Sequence, residues 1–165
     1  MSLERVTEYL GQYGLAGRVR AFDASSATVE LAAQALGVAP ERIAKTLSFL
    51  TKEGCVLIVA AGDARVDNGR FKRFFGEKAR MLPAGLVEQL TGHPVGGVCP
   101  FDTAAGARVY LDASLRRFDT VFPAAGTAHS AAEMTCAELE RASRALAWVD
   151  ICKDWRPDGD EVGEK

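Results

Sequence analysis

A predicted β-hairpin constrains the fold of this chain more than any other sequence feature. Residues 46–51 and 55–61 are two apolar, strand-like runs, and the turn-forming segment Lys52-Glu53-Gly54 lies between them. Strands joined by so short a turn pair antiparallel. The hairpin therefore argues against a sheet whose strands are all parallel.

Helical and strand-like segments alternate along the rest of the chain. Apolar residues recur at helical spacing over residues 3–13 and 29–36, Pro40 favours a short helix that ends near Lys45, and Thr135-x-x-Glu138 is a capping box for a last helix. Further strands are predicted over residues 18–23, 108–111 and 120–122. This interleaving, together with the hairpin, predicts an α/β (α+β) fold with a mixed sheet and flanking helices.

The length and composition are those of one folded domain. The chain has 165 residues, 48% of them hydrophobic and 25% charged, and contains no internal repeat or low-complexity linker. We expect a single domain over residues 1–150 and a polar C-terminal tail over residues 151–165. The net charge of −2 argues against a protein that coats duplex nucleic acid, which normally carries a basic surface.

The cysteines and the N-terminus indicate a cytoplasmic protein without a metal centre. Four cysteines are widely spaced and form neither a CxxC pair nor a zinc-finger pattern, so reduced thiols are expected and no metal or other cofactor is predicted. The first residues lack the basic and apolar regions of a signal peptide. The longest apolar run, residues 55–61, is too short to span a bilayer.

The segment Thr91–Phe101 (TGHPVGGVCPF) is the first candidate for a functional site. Its three glycines allow a ligand to approach the backbone closely, and its two prolines stiffen the loop. Such a loop can present N–H groups to a carbonyl or an anion, although it can also be a tight structural connection. It matches neither the Walker loop nor the GxGxxG pattern.

Four side chains could carry chemistry, and each also has a structural interpretation. Lys45 lies among apolar neighbours, where it must reach solvent, pair, or meet an anionic ligand. His93 and His129 either line a site or lie on loop surfaces. Cys99 could be a nucleophile, but no activating base can be assigned to it, and a small buried filler is the simpler interpretation. Basic residues cluster between positions 65 and 80 on a predicted helix, which is more often a solvated face than a ligand site.

The order and spacing of these segments resemble the YbaK/ProX family, which includes the editing domain inserted in bacterial prolyl-tRNA synthetases. The resemblance covers about residues 18–147 and rests on the segments SSATVELAAQALGV, ERIAKTLSF, AAGDARVD, TGHPVGGVCPF, RVYLDASL and VFPAAGT. It implies a mixed, strongly curved sheet with flanking helices. It also implies a free-standing deacylase that hydrolyses the ester between a wrong amino acid and the 3′ end of a tRNA, without a cofactor.

The resemblance implies a set of site residues. Lys45 corresponds to the family lysine that holds the phosphate of the terminal adenosine and orients the ester. The family's GxxxP loop corresponds to residues 96–100, and its backbone would hold the aminoacyl group. The implied catalytic residues are Lys45, Gly96 and Gly97. The implied substrate-binding residues are Phe22, Thr28, Thr46, Val98, Cys99, Pro100, Gly126 and Thr127.

Two positions depart from the family pattern and leave the edited amino acid open. Cysteinyl-editing members carry an aspartate where this chain has Ala131, and alanyl-editing members carry an asparagine where it has Thr46. The expected partners are aminoacyl-tRNA, with tRNAPro as carrier, and a prolyl-tRNA synthetase; a monomer and a homodimer both remain open. The alternative functions are a non-catalytic adaptor that binds the tRNA end or a synthetase, and, third, a hydrolase that uses Cys99.

Overall fold

The computed structural model describes residues 2–156. The helices in this range are α1 (Ser2–Gly11), α2 (Val29–Leu36), α3 (Asn68–Phe75), α4 (Ala84–Thr91) and α5 (Cys136–Ser143). The strands are β1 (Val19–Ala21), β2 (Ile43–Thr51), β3 (Gly54–Ala61), β4 (Arg65–Val66), β5 (Arg108–Asp112), β6 (Phe122–Pro123), β7 (Ser130–Ala132), β8 (Ala147–Val149) and β9 (Cys152–Lys153). Short 3₁₀ helices occur at Ala16–Arg18, Pro40–Arg42 and Ala113–Arg117.

A curled five-stranded sheet with the order β6-β2-β3-β5-β8 forms the centre of the fold. The predicted hairpin is confirmed, since β2 and β3 pair antiparallel from Ala44–Ala61 to Thr51–Gly54. The pairs β2-β6, β3-β5 and β5-β8 are parallel, so the predicted mixed sheet with flanking helices is also confirmed. Two antiparallel ribbons, β1-β7 and β4-β9, lie outside the main sheet.

The central strand β3 organises the hydrophobic core. Every residue from Cys55 to Ala61 is buried, because β3 has a paired neighbour on each side and packed side chains on both faces. Val6 and Leu10 of α1 reach the same core, and Leu139 and Ala142 bring α5 into it. Helix α3 is capped by Asp67, whose side chain accepts the Arg70 N–H, and α5 begins at the predicted Thr135 capping box.

The predicted helix from Pro40 to Lys45 is wrong in its second half. The helical turn ends at Arg42, and β2 begins at Ile43, which pairs with Phe122 and is buried. The sheet therefore overrides the local helical preference, and Lys45 lies within a strand rather than at the end of a helix.

The C-terminal segment departs from the predicted tail. Ile151 and Cys152 are buried, and β9 pairs with β4, so the packed region extends at least to Lys153. The reason is that these residues are apolar and the buried Asp112 accepts the Ile151 N–H. Residues 157–165 of the predicted tail lie outside the described part of the chain. None of the helices within residues 2–156 is long and apolar enough to cross a membrane.

Candidate functional site

A cavity of about 430 Å³ opens beside β2 and is the candidate functional site. Its size is typical of a pocket for a small molecule. Strand β2, the start of α2, helix α4 and the loop of residues 92–102 all contribute to its walls. Most lining side chains are small or apolar, and they include Ala32, Ala44, Val87, Phe122, Ala124 and Ala131. Two exposed apolar residues, Met81 and Val95, belong to the same lining.

Lys45 supplies the cationic side chain of this cavity. Its half-buried ammonium donates to the backbone carbonyls of Gly62 (3.3 Å) and Ala64. Burial lowers the pKa of Lys45 below its ordinary value, whereas the nearby Cys152 and Asp63 oppose that shift. An ammonium has three N–H bonds, so one remains for a ligand when two carbonyls are bound.

The turn that holds Lys45 is itself fixed by tight packing. A Cβ at Gly62 would lie 2.0 Å from the Pro40 carbonyl oxygen, so only glycine fits there. The Ser114 hydroxyl accepts the Ala61 N–H at the end of β3, and the Asp112 carboxylate accepts the Ser114 N–H. Both side chains are buried. The carbonyl groups that orient Lys45 therefore belong to a rigid part of the molecule.

Thr46 adds a polar atom to the apolar wall. Its hydroxyl is buried, and no hydrogen-bond partner for it lies within residues 2–156. Buried hydroxyl groups without a partner are costly, and they are usually satisfied by water or by a ligand. The Thr46 hydroxyl is therefore a buried polar atom next to the cavity that no described residue satisfies.

The loop of residues 92–102 forms the opposite wall. Gly96 and Val98 line the cavity, and Gly96 has a φ of +88°, which favours glycine. A Cβ at Gly97 would lie 2.7 Å from the Thr127 Cα atom. The glycine loop and the turn at residues 126–127 therefore touch backbone to backbone.

The structure brings together five of the predicted site residues and places six others outside the cavity lining. Lys45, Thr28, Thr46, Gly96 and Val98 line the cavity, with Thr28 also capping α2 through the Leu31 N–H. The lining does not include Phe22, Gly97, Cys99, Pro100, Gly126 or Thr127. Thr127 contacts the lining from outside, because its Oγ1 lies 2.8 Å from the Oγ atom of Ser130, which does line the cavity. The Phe22 N–H donates to the carbonyl of His129, which is not a lining residue.

The position where the sequence departs from the family aspartate lies in the cavity wall. Ala131 is 2% exposed, lines the cavity, and pairs with Arg20 across the β1-β7 ribbon. A methyl group thus stands at the position where the resemblance to cysteinyl-editing family members implies an aspartate. This replacement makes the wall less polar.

Cys99 and the two histidines lie away from the cavity lining. Burial raises the pKa of the Cys99 thiol to about 12, so the thiol stays protonated near neutral pH and is a poor nucleophile. His93 is buried with Nε2 2.7 Å from the Phe101 carbonyl oxygen. His129 is exposed, with Nδ1 3.1 Å from the Ala24 carbonyl oxygen.

Other lining residues gave no signal in the sequence. Two of them, Ser26 and Ser130, are linked by a hydrogen bond, in which the Ser130 N–H donates to the Ser26 hydroxyl at 3.1 Å. They are 104 positions apart, so only the three-dimensional structure shows the contact.

In the basic segment 65–80, Arg70 is buried and pairs with Asp150 at 3.1 Å. Arg65, Lys72, Arg73, Lys78 and Arg80 are exposed. No group of three or more potential metal ligands occurs in the described range.

Comparison with known proteins supplies the biological context. The sequence model described as "Aminoacyl-tRNA editing domain" matches residues 23–142. The uncharacterized protein YwhH of Bacillus subtilis strain 168 is 51% identical over 156 residues, which cover 94% of this chain and 99% of YwhH. A proline–tRNA ligase of Thermosipho melanesiensis is 33% identical over 75 residues, which cover 44% of this chain and 13% of the ligase.

A solved structure agrees with these matches. It is a crystal structure of a candidate trans-editing enzyme for prolyl-tRNA synthetase, superposes with a TM-score of 0.82, and is 32% identical in sequence. The match covers 91% of this chain and 96% of that one. The similarity thus extends over most of both chains.

Proposed function

Because the chain belongs to the aminoacyl-tRNA editing domain family, we propose that it hydrolyses the ester that joins a wrong amino acid to the 3′ end of a tRNA. It does so in trans, as a free-standing deacylase in the cytoplasm, and its carrier is tRNAPro. The similarity to a proline–tRNA ligase and to a candidate trans-editing enzyme for prolyl-tRNA synthetase supports this carrier. A prolyl-tRNA synthetase is the expected source of the mischarged substrate.

One observation carries the proposal: Lys45, whose half-buried ammonium donates to two backbone carbonyls, lines the same largely apolar cavity as the glycine loop. The Lys45 ammonium binds a phosphate of the terminal nucleotide and so orients the ester. The backbone of residues 96–100 holds the aminoacyl group and stabilises the oxyanion that forms on its carbonyl oxygen. Phe22, Thr28, Thr46, Gly126 and Thr127 shape the amino-acid pocket directly or from behind.

The reaction needs no side-chain nucleophile. Water attacks the ester carbonyl carbon and loses a proton to the neutral amino group of the substrate, either directly or through the free ribose hydroxyl as a relay. The carbon–oxygen bond to the ribose then breaks, and the ribose oxygen takes up a proton. The products are the free amino acid and deacylated tRNA. An aminoacyl ester is already activated, so positioning and oxyanion stabilisation supply most of the rate.

The shape and polarity of the cavity set the choice of amino acid. Its lining includes many alanines, among them Ala131, where the resemblance implies an aspartate, and the buried Thr46 hydroxyl lies beside it. We expect a small side chain to be accepted and a larger one to be excluded, as in a second sieve that hydrolyses what it can admit. A non-catalytic adaptor is the second candidate, and Ala131 is the observation that favours it, because a carboxylate present in relatives is missing.

A panel of mischarged tRNAs tests the proposal. Purified protein is incubated with alanine, cysteine, serine and threonine esterified to tRNAPro and to unrelated tRNAs, and loss of the labelled amino acid is followed. We expect at least one pair to be deacylated faster than in buffer, and we expect Lys45→Met to remove that activity. Lys52→Met, in the exposed hairpin turn, is the matched control. Binding of charged tRNA without turnover would instead establish the adaptor.

A further inference from the structure

The N-terminal helix carries an arginine to the base of the glycine loop. Val6 and Leu10 are fully buried in the core and fix the position of α1. On another side of the helix lie Arg5 and Tyr9, one turn apart, and the Tyr9 ring lies 6.5 Å from the Phe101 ring. Arg5 precedes the residues 23–142 that match the editing-domain model. The helix thus adds a contact to the loop from outside the matched region.

The Arg5 guanidinium contacts both ends of the loop at once. Its Nη2 atom lies 2.7 Å from the Gly92 carbonyl oxygen and 3.2 Å from His93 Nδ1. Its Nε atom lies 2.7 Å from a carboxylate oxygen of Asp102. The planar fork of an arginine makes such simultaneous contacts, which an ammonium group cannot reproduce. The tip of the same loop, at Gly96 and Val98, lines the cavity.

These contacts define which tautomer the neutral imidazole of His93 adopts. A guanidinium can only donate hydrogen bonds, so His93 Nδ1 must accept from Arg5. The proton of the neutral ring is then on Nε2, which donates to the Phe101 carbonyl at 2.7 Å. The imidazole therefore joins the two ends of the loop, and Arg5 selects the tautomer that allows it.

The far end of the loop is held in an unusual backbone conformation. Asp102 has a φ of +49°, in the left-handed region that few residues other than glycine adopt. Such a conformation persists where the surroundings hold it. The ion pair to Arg5 provides a specific restraint on this residue.

We propose that Arg5 is a positioning residue: it clamps the two ends of the 92–102 loop to α1 and keeps His93 as the neutral Nε2–H tautomer. The clamp sets the direction of the backbone groups of residues 96–100. It acts through His93 and Asp102 and does not touch the substrate. Its catalytic consequence rests on the proposed function, whereas the clamp itself does not.

The clamp makes the loop sensitive to acid. Burial lowers the pKa of His93 below its ordinary value; the Phe101 carbonyl and Asp102 oppose this shift, and Arg5 reinforces it. Arg5, Asp102 and the Cys99 thiol are the charged or titratable groups that face the ring. As the pH falls through the pKa of His93, Nδ1 gains a proton, loses the Arg5 hydrogen bond and faces a second cation. The Arg5–His93 hydrogen bond is therefore made above that pKa and lost below it, whereas the Arg5 contacts with Gly92 and Asp102 do not depend on the protonation of His93.

Titration of the imidazole tests the clamp without any substrate. The chain contains only His93 and His129, so a His129→Asn background leaves one imidazole signal to follow by NMR. We expect Arg5→Met to raise the pKa of His93 by about half a pH unit or more, because the hydrogen-bond donor and the repelling charge are both removed. Arg18→Met is the matched control, since it removes a bidentate ion pair to Glu138 without touching the loop.

Kinetics on the best substrate of the mischarged panel test the positioning role. We expect Arg5→Met to lower kcat/KM by about 10- to 100-fold, since a small misplacement of catalytic groups has effects of this size. The acid limb that the loss of the Arg5–His93 contact causes in the wild type should be absent from this variant, which lacks that contact at every pH. Arg5→Lys keeps the charge but not the fork, so its His93 titration should stay near that of the wild type while its rate remains reduced.

The His93 titration and the deacylation kinetics test separate claims, and each claim can fail independently of the other. An unchanged His93 titration in Arg5→Met overturns the clamp even if the wild-type protein is an active deacylase. A wild-type rate in Arg5→Lys or in Arg5→Met overturns the positioning role. If the wild-type protein deacylates nothing in the panel, the proposed function fails, and the titration still decides whether the clamp exists.

Discussion

The two walls of the cavity are built in different ways. The wall that carries Lys45 and Thr46 belongs to β2, which pairs with β3 along its length and with β6 on its other edge. The wall that carries Gly96 and Val98 is a loop without strand pairing, held at its base by Arg5 and His93 and at its tip by the contact of Gly97 with Thr127. One wall is fixed by many backbone bonds and the other by a few specific contacts.

This difference suits the chemistry proposed for each wall. A cation that receives a phosphate must keep one position, and β2, which is paired on both of its edges, provides it. Backbone groups that surround an aminoacyl carbonyl must have an unusual direction, which a glycine loop can adopt and a strand cannot. The strand wall should therefore tolerate the loss of its functional group without unfolding, whereas changes in the loop should affect stability and activity together.

Lys45→Met is the sharpest test of the strand wall and has the largest expected effect on activity. We expect a loss of about 100-fold or more in deacylation, as for the removal of a key charge-stabilising donor. Stability should change by less than about 1 kcal/mol, because methionine keeps the packing of the lysine stem while two carbonyls lose a donor and a desolvated charge disappears. Deacylation assays and urea unfolding measure the two quantities. A large loss of stability would show that Lys45 is structural.

The sequence predicts the strand wall better than the loop wall, for a physical reason. The hairpin of residues 46–61 is encoded locally, and Lys45 is identified by its apolar neighbours and by the family resemblance. The loop is identified by its glycines and prolines, but its anchor is not: Arg5 lies 87 positions from Gly92. The predicted helix from Pro40 to Lys45 is wrong for a similar reason. Ile43 belongs to the sheet because it pairs with Phe122, which is distant in sequence.

Asp112→Ala tests how far the rigidity of the strand wall depends on a buried carboxylate. Asp112 accepts the N–H groups of Ser114 and Ile151, each at 2.9 Å, and is fully buried. Each unsatisfied buried donor costs about 1–3 kcal/mol, so we expect the free energy of unfolding to fall by about 2–6 kcal/mol. Asp119→Ala, at an exposed position, should change it by less than about 0.5 kcal/mol.

Folded Asp112→Ala protein should retain most of its activity, because the carboxylate acts on the turn behind Lys45 and not on the substrate. Denaturant unfolding at a temperature where the variant is still folded gives the stability, and the deacylation rate per folded molecule gives the activity. Wild-type stability in this variant would mean that water or other groups satisfy the two N–H donors, and the strand wall would then not depend on Asp112.

Gly97→Ala examines the loop wall and has the smallest of these expected effects. The added Cβ would lie 2.7 Å from the Thr127 Cα atom, closer than real contacts allow, and its three nearest atoms all belong to the Thr127 backbone. The loop must therefore move away from the turn, at a cost of about 1–3 kcal/mol in the free energy of unfolding. Activity should fall with it, because Gly96 and Val98 move on the same loop. The two losses should appear together, in contrast to Lys45→Met.

Gly85→Ala is the matched control for that substitution. Gly85 lies in α4 close to the same cavity, and a Cβ there would meet no atom within 4 Å. Alanine is the better helix former, so this variant should be as stable as the wild type or more stable by up to about 1 kcal/mol. If Gly97→Ala behaves like Gly85→Ala in both unfolding and deacylation, the loop is not fixed against the turn. The loop wall would then depend on the Arg5 clamp alone, and the His93 titration would measure its whole restraint.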